Sequence, residues 1–333
     1  MPKVSVVMPV HNGERFLAQS IDSILSQTFG DLEFVIVDDG SVDRTEAIIR
    51  SYPDKRICYI KNDMNMGVSN SLNKGIDCAR GEYIARMDAD DISLPQRFQR
   101  QTDFLNAHPD VCLCGTWGVL FGEAQGIKRT PVTDEEIRCW ALFHTPFLHP
   151  SVMFRRDVFQ RSGLRYTQNI PAQDYDLWTR IPRAQHMANI PRVLIRYRVH
   201  QNSVGGRCSD KQVVYADLVR ERLLLGLGFP SLSVEQKAVH RLAAELPFNL
   251  SREEHQHIDQ WLQQIDQHNR TSRSYSVPIL SETLSVISVL AFFRCKGPAR
   301  GVLLPRFWMP FLIMCWKKLI YAMGGRGCLY QSL

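Results

Sequence analysis

The chain is predicted to be an α/β protein wound on a mostly parallel sheet, and three observations lead there. The runs "VSVVMPV" (4–10) and "EFVIVDD" (33–39) are short, continuous and rich in Val and Ile, as strands buried on both faces are. Between them Phe16, Leu17, Ile21, Ile24 and Leu25 recur at helical spacing. Acid-bearing turns, "DDGS" and "DADD", close two of the apolar runs. In open sheets of this kind ligands bind beyond the carboxyl ends of the strands.

The remaining elements follow in order. A helix over 45–52 has Ser41 and Asp43 as candidate caps. A strand over 56–62, a helix over 67–80 and a strand over 82–88 continue the alternation. After Pro95 a helix over 96–107 leads to a strand over 110–121. A less regular stretch then carries "HPSVMFRRDVF" (149–159), "QDYDLWTRI" (173–181) and "IPRVLIRYRVHQNS" (190–203). From about Asp210 the pattern turns helical, in 211–227, 233–246 and 252–265. The expected organisation is a main domain over 1–205, a helical appendage over 206–270 and a distinct tail over 271–333.

Composition is that of a globular protein, 44% apolar and 22% charged, without a low-complexity tract. The net charge of +6 is unevenly spread. From Arg270 onward nine Lys and Arg face one acid, Glu282, so the last segment carries +8 and the first 269 residues carry −2. Nine cysteines lie scattered without CxxC spacing, and no secretory signal precedes "PKVSVVMPV". Free thiols in a reducing cytosol are therefore expected.

The chemistry concentrates in the acids. Asp38 and Asp39 end the second strand, where a carboxylate can accept from a heterocycle N–H or a ribose hydroxyl; capping of the next helix would occupy only one of them. His11 and Asn12 end the first strand and face the same crevice. In "RMDADD" Asp88, Asp90 and Asp91 crowd together, and like charges this close repel unless a cation or donors compensate them. Asp88 and Asp90 share one side of an extended segment, so one can meet a ribose and the other a hard divalent cation such as Mg2+. Asp174 and Asp176 lie among aromatic neighbours, and partial desolvation there would suit a general base. His149 and His200 are isolated histidines, a type more often structural than functional.

Together "PVHNGERFLAQSIDSILSQTF", "VIVDDGSVDRT", "NMGVSNSLNKGIDCARGEYIARMDADD" and "QDYDLW" resemble family 2 of the inverting nucleotide-sugar glycosyltransferases, which have the GT-A fold. The resemblance spans roughly residues 2–205. It implies that Asp39 binds the nucleobase, with Pro9, His11 and Glu14 lining its pocket; the position of His11 is often an aromatic. It implies that Asp88 and Asp90 form the DXD motif, Asp88 meeting the ribose and Asp90 the metal, Mn2+ or Mg2+. Asp174 matches the catalytic base of the family's "ED" pair, with Gln173 in place of the usual Glu. His200 resembles a histidine that helps hold metal or diphosphate. Leu72 stands before Asn73 where many members carry Arg, which leaves a phosphate contact to come from elsewhere. The implied reaction moves a sugar, by resemblance from a uridine (or thymidine) nucleotide, to a hydroxyl of a lipid-linked saccharide in surface polysaccharide assembly.

The tail holds two apolar stretches, 279–293 and 307–316, each shorter than the roughly 20 residues of a spanning helix. With Trp308, Trp316 and the +8 charge they suit helices lying in a membrane interface, which predicts a cytoplasmic enzyme peripheral to the inner face of the cell membrane. The alternative is a helical subdomain packed on the core, or a contact within a homo-oligomer. Nucleic acid is excluded as partner because the positive charge is mixed with long apolar runs. A catalytically silent nucleotide-binding scaffold at the membrane is the competing function. A sugar-phosphate nucleotidyltransferase would need a Gly-rich basic loop after the first strand, and "HNGERF" is not one.

Overall fold

Alternation of side chains along the first two strands sets the architecture. In a computed structural model, which describes residues 1–200 and 210–295, β1 (Val4–Val10) and β2 (Leu32–Asp38) are buried along their whole length. Val4, Val6, Met8 and Val10, with Phe34 and Ile36, face one layer, while Val7, Val35 and Val37 face the other. That is the period of two expected of a strand covered on both sides. The first layer is made by α1 (Leu17–Leu25) and α4 (Arg97–Ala107), through Leu17, Ile21, Ile24, Phe98 and Leu105. The second is made by α3 (Val68–Cys78), through Leu72 and Ile76. Gly75 lets α3 approach β1 closely, since a Cβ there would lie 2.5 Å from Val7 Cγ1.

Among the described residues nine strands form one sheet. β3 (Ile57–Lys61), β2, β1 and β4 (Tyr83–Arg86) run parallel. Beyond β4 the sheet is mixed. β8 (Met153–Arg155) is antiparallel to β4 and to β6 (Val111–Gly122), and β6 pairs in parallel with β9 (His186–Val199). β5 (Ile92–Ser93) lies antiparallel to β9, with Ile92 opposite Arg196. This pairing brings the acidic segment after β4 beside the end of β9. β7 (Gly126–Lys128) pairs with β6. The helix α2 (Thr45–Arg50) is not capped as the sequence suggests. Asp43 accepts from the Thr45 amide at 3.0 Å, whereas the Ser41 hydroxyl accepts from the Asn12 amide at 2.9 Å.

The less regular stretch contains α5 (Asp134–Trp140), α6 (Arg156–Arg161) and α7 (Gln173–Thr179). The helical unit that follows consists of α8 (Asp210–Leu227), α9 (Val234–Glu245), α10 (Arg252–Ser272) and α11 (Val277–Arg294). Capping boxes start α9 (Ser233 with Gln236) and α10 (Ser251 with Glu254), fixing both boundaries locally.

The tail boundary expected at residue 271 is not where the packing changes. Leu280, Leu284, Ile287 and Ala291 of α11 recur on one helical face and join Trp261, Ile265 and Leu227 in a single core. Hence the stretch 279–293, expected to lie in an interface, is packed on protein along that face. α11 is long and apolar enough to span a membrane by composition, with a little over half of it buried inside the structure. The second apolar stretch, 307–316, lies outside the described residues.

The helical unit also shares core with the main domain, through Cys139, Leu142 and Phe143. One polar thread runs through that seam. Trp261 Nε1 donates to His240 Nδ1 at 2.9 Å, and His240 Nε2 donates to the Leu142 carbonyl at 2.9 Å. Both ring nitrogens are used by a neutral imidazole, and burial pushes its pKa down to about 3. The unfolded chain, with the ordinary value of 6.5, takes a proton that the folded chain refuses. Stability is therefore full above pH 6.5 and falls below it, by about 2 kcal/mol at pH 5 for this one group. Urea unfolding at pH 7.5 and pH 5.0 checks this, and H240Q should remove the His240 share of the difference, the buried His144 and His149 supplying more by the same cause.

Candidate active site

The carboxyl edge of the parallel strands is stitched together before any ligand is considered. Asp38 is fully buried and spent on structure: it accepts from the Ser41 amide at 2.9 Å and from the Tyr59 hydroxyl at 2.9 Å. Asp39 is the busier acid. Its carboxylate accepts from Asn62 Nδ2 (2.8 Å), the Met66 amide (2.9 Å) and the Gly67 amide (2.8 Å). Burial opposes its charge, but the Met66, Asn62, Ser71 and Gly67 donors prevail and hold it below the ordinary carboxylate range. Gly40, at φ +67°, lets the turn after Asp39 pass against Met64 and Asn65, where a Cβ would meet the Met64 carbonyl carbon at 2.5 Å.

The loop after β1 closes the same edge. Pro9 is buried within β1, while His11 and Glu14 are exposed. His11 donates from Nδ1 to the Asp39 carbonyl (2.8 Å), which leaves Nε2 to accept from Asn12 Nδ2 (3.1 Å). Glu14 accepts from the Arg44 amide at 3.1 Å. The imidazole and the Asp39 carboxylate thus sit at adjoining strand ends. Asn73, the position after Leu72, contacts no charged group through its amide; it clips α3 to Tyr166 by a bond in each direction, 2.8 and 3.0 Å.

At the end of β4 the acids cluster. Among the described residues Asp88, Asp90 and Asp91 bring ligand oxygens within 4.8 Å of one another. Their backbone is held from both sides: Ser20 Oγ donates to the carbonyls of Asp88 (2.8 Å) and Asp91 (2.9 Å), and Arg198 Nε donates to that of Asp90 (2.7 Å). His200, one residue past β9, donates from Nε2 to Asp90 at 2.9 Å. Asp91 accepts from the Arg198 amide at 2.7 Å, while its second oxygen is buried without a hydrogen-bond partner. Burial, then the charges of Asp90 and Asp88, push the Asp91 carboxyl well above its ordinary range. Hard oxygens in this number, a neighbouring imidazole and an orphaned carboxylate oxygen fit a divalent cation such as Mg2+ or Mn2+.

Asp174 stands in the first turn of α7 and is partly buried. Burial pushes its carboxyl up, against the Tyr175 amide and the charge of Arg86. Arg86, buried in β4, pairs with Asp88, and the charges of Asp88 and Asp174 each act on the Tyr166 hydroxyl. Burial also pushes the Asp88 carboxyl up, with Arg86 opposing and Asp90 and Asp174 adding to the rise. The charges of Asp88 and Asp174 are therefore both balanced by Arg86, which pairs with Asp88. Gln173 lies with its amide against the carbonyls of Ile170 and Pro171, to which its nitrogen donates (3.1 and 2.9 Å) once the amide is turned over, a place where a carboxylate would be repelled. His149 stays neutral: burial and the Arg86 charge hold it well below its ordinary range, and it bonds the Tyr166 hydroxyl at 2.9 Å.

Three residues of this constellation carry no role in the sequence reading. Arg86 was legible by period two, since it shares the strand face of Asp88. Ser20 and Arg198 had no such signal, because each acts on backbone brought near only by folding.

The sequence profile described as "Glycosyl transferase family 2" matches residues 5–163. The amylovoran biosynthesis glycosyltransferase AmsE of Erwinia amylovora is 33% identical over 210 residues, covering 61% of this chain and 79% of that protein. Among solved structures, residues 1–349 of S. aureus TarS in complex with UDP-GlcNAc superpose with a TM-score of 0.58 at 16% identity, over 86% of this chain and 87% of that one. The mannosyltransferase PcManGT of Pyrobaculum calidifontis, in complex with GDP-Man and Mn2+, gives a TM-score of 0.51 at 17% identity, over 99% and 85%. These structural likenesses bear on the fold, which is GT-A.

Asp39→Ala would strand the Met66 amide and take one acceptor each from Asn62 and Gly67, which keep Ser71 Oγ and Asn65 Oδ1. The expected cost is about 3 kcal/mol of stability, with faster hydrogen exchange at Met66 and Gly67 and little change in β6 and β9. Mass-spectrometric exchange on the two proteins reads both.

Proposed function

Because the chain belongs to glycosyl transferase family 2, we propose that it transfers a sugar from a nucleotide-sugar to a hydroxyl of a lipid-linked saccharide, with inversion at the anomeric carbon. One observation carries the reading: Asp174, remote in sequence from Arg86 and Asp88, interacts electrostatically with both at the carboxyl edge that also holds Asp39. TarS, in complex with UDP-GlcNAc, supports a uridine carrier, and AmsE supports a place in polysaccharide biosynthesis.

Each role follows from the local chemistry. Asp39 would accept from a nucleobase N–H, and the exposed His11 ring provides a face for the base beside Pro9 and Glu14. Asp88 accepts from the ribose. Asp90 and His200 would hold a divalent ion, Mn2+ or Mg2+, with Asp88 and Asp91 adjoining. Bound there, the ion supplies positive charge against the diphosphate leaving group. Asp174, its proton affinity raised by burial, takes the proton of the acceptor hydroxyl as that oxygen attacks from the face opposite the leaving group. A silent scaffold has no use for a partly desolvated carboxylate at this place.

Membrane attachment falls to the segment after Arg294. Residues 296–333 carry six basic residues, no acid and the run "FWMPFLIMCW". A cut at Ser274 would strip α11 out of the helical core, whereas a cut after Cys295 would not.

Asp174→Asn should retain binding of the nucleotide-sugar, seen as an unchanged thermal shift with Mn2+, and lose transfer by about 10²–10⁴-fold. Full turnover by that variant removes Asp174 from its role. Truncation after Cys295 should leave melting unaltered and abolish sedimentation with anionic vesicles; persistent sedimentation would place the attachment elsewhere.

A further inference from the structure

The second acid of "QDYDLW", Asp176, has no part in the chemistry above, yet it is among the most heavily bonded carboxylates in the chain. It is buried and accepts from Thr167 Oγ1 (2.7 Å), Arg180 Nε (2.9 Å) and Arg222 Nη1 (2.9 Å). Arg222 belongs to α8, in the helical unit, and its other terminal nitrogen donates to Thr179 Oγ1 at 2.7 Å. One guanidinium therefore grips α7 at two points from outside the main domain.

α7 needs such a grip. It is seven residues long and starts at Ala172 without a side-chain cap. Helices this short have little stability of their own and take their orientation from packing. Residues two apart on a helix project about 200° apart around its axis. The charge of Asp174 acts on Asp88 and Tyr166, so Asp176 projects away from them, and the bonds on Asp176 act as a handle on the back of the helix. Rolling α7 would swing the Asp174 carboxylate along the cleft wall. The Tyr175 hydroxyl, bonded to the Ala141 carbonyl, anchors a third direction.

We propose that Arg222 is a positioning residue for the transfer reaction, acting through Asp176 and Thr179 to fix the roll of α7 and so the direction of the Asp174 carboxylate. The helical unit is on this account part of the catalytic apparatus. The inference rests on Asp174 as the base. It predicts a loss in the chemical step and none in donor binding, because Arg222 touches neither Asp39 nor the acids of residues 88–91. Thr167 and Arg180 stay on Asp176 when Arg222 is removed, which keeps α7 folded.

The test compares R222A, R222K and R241A in the full chain. Arg241 pairs with Asp217 between α9 and α8 and does not touch α7, so R241A loosens the helical unit without releasing Asp176. R222A should lower kcat by about 10-fold, since a misplacement of about 1 Å can cost on the order of 100-fold. Donor KM should stay within about twofold, and R222K should recover only part of kcat because an ammonium lacks the two-point fork. R241A should turn over like the unaltered chain. Unaltered kcat in R222A, or an equal fall in R241A, overturns the proposal while leaving the base in place. If Asp174→Asn keeps full turnover, the base assignment fails and this inference with it.

Discussion

The site is organised around one buried cation facing several carboxylates. Arg86 projects from the last residue of β4 with Asp88 as its ion-pair partner and the charge of Asp174 beyond. Without it, the desolvated acids at the end of a buried strand would repel one another strongly. The neighbouring devices serve the same end. Ser20 and Arg198 hold the backbone of the acidic turn, and His200 bonds Asp90. A chain that places so much negative charge at a strand terminus depends on such compensation for its fold as much as for its chemistry.

The parallel half of the molecule was legible because its strands are covered on both faces and its helices have one apolar stripe each. The runs at 4–10 and 33–39 and the spacing of Leu17, Ile21 and Ile24 admit few other readings. The positions of Asp39, Asp88, Asp90 and Asp174 at strand or helix ends were legible too. What was not legible involves partners distant in sequence. Ser41 resembles a cap by its position, but the turn at Asn12 lies nearer to its hydroxyl than the helix does. Residues 279–293 resemble an interfacial helix by composition, and only the presence of Trp261 and Leu227 on the facing helices reveals a protein neighbour. Composition does not distinguish an apolar face turned to lipid from one turned to another helix.

The helical unit is less separable than its sequence suggests. It shares a core with Cys139, Leu142 and Phe143, threads His240 between Trp261 and the Leu142 carbonyl, and reaches α7 through Arg222. The matched family profile ends at residue 163, before α7 begins. Asp39 and the acids of residues 88–91 thus lie within the matched half, while Asp174, proposed as the base, lies beyond it and is supported from the helical unit.

The long parallel pairing of β6 with β9 has a consequence for how such a protein can diversify. The segment from 123 to 185 departs from the end of one strand and returns at the start of its neighbour, lending β7 and β8 to the same sheet on the way, so both of its roots are clamped by one ladder. Lengthening or replacing part of that excursion would remodel the wall around Asp174 while β1, β2 and β4 kept their register. On the proposed function, variation there would change the acceptor side while the residues assigned to the donor stayed in place.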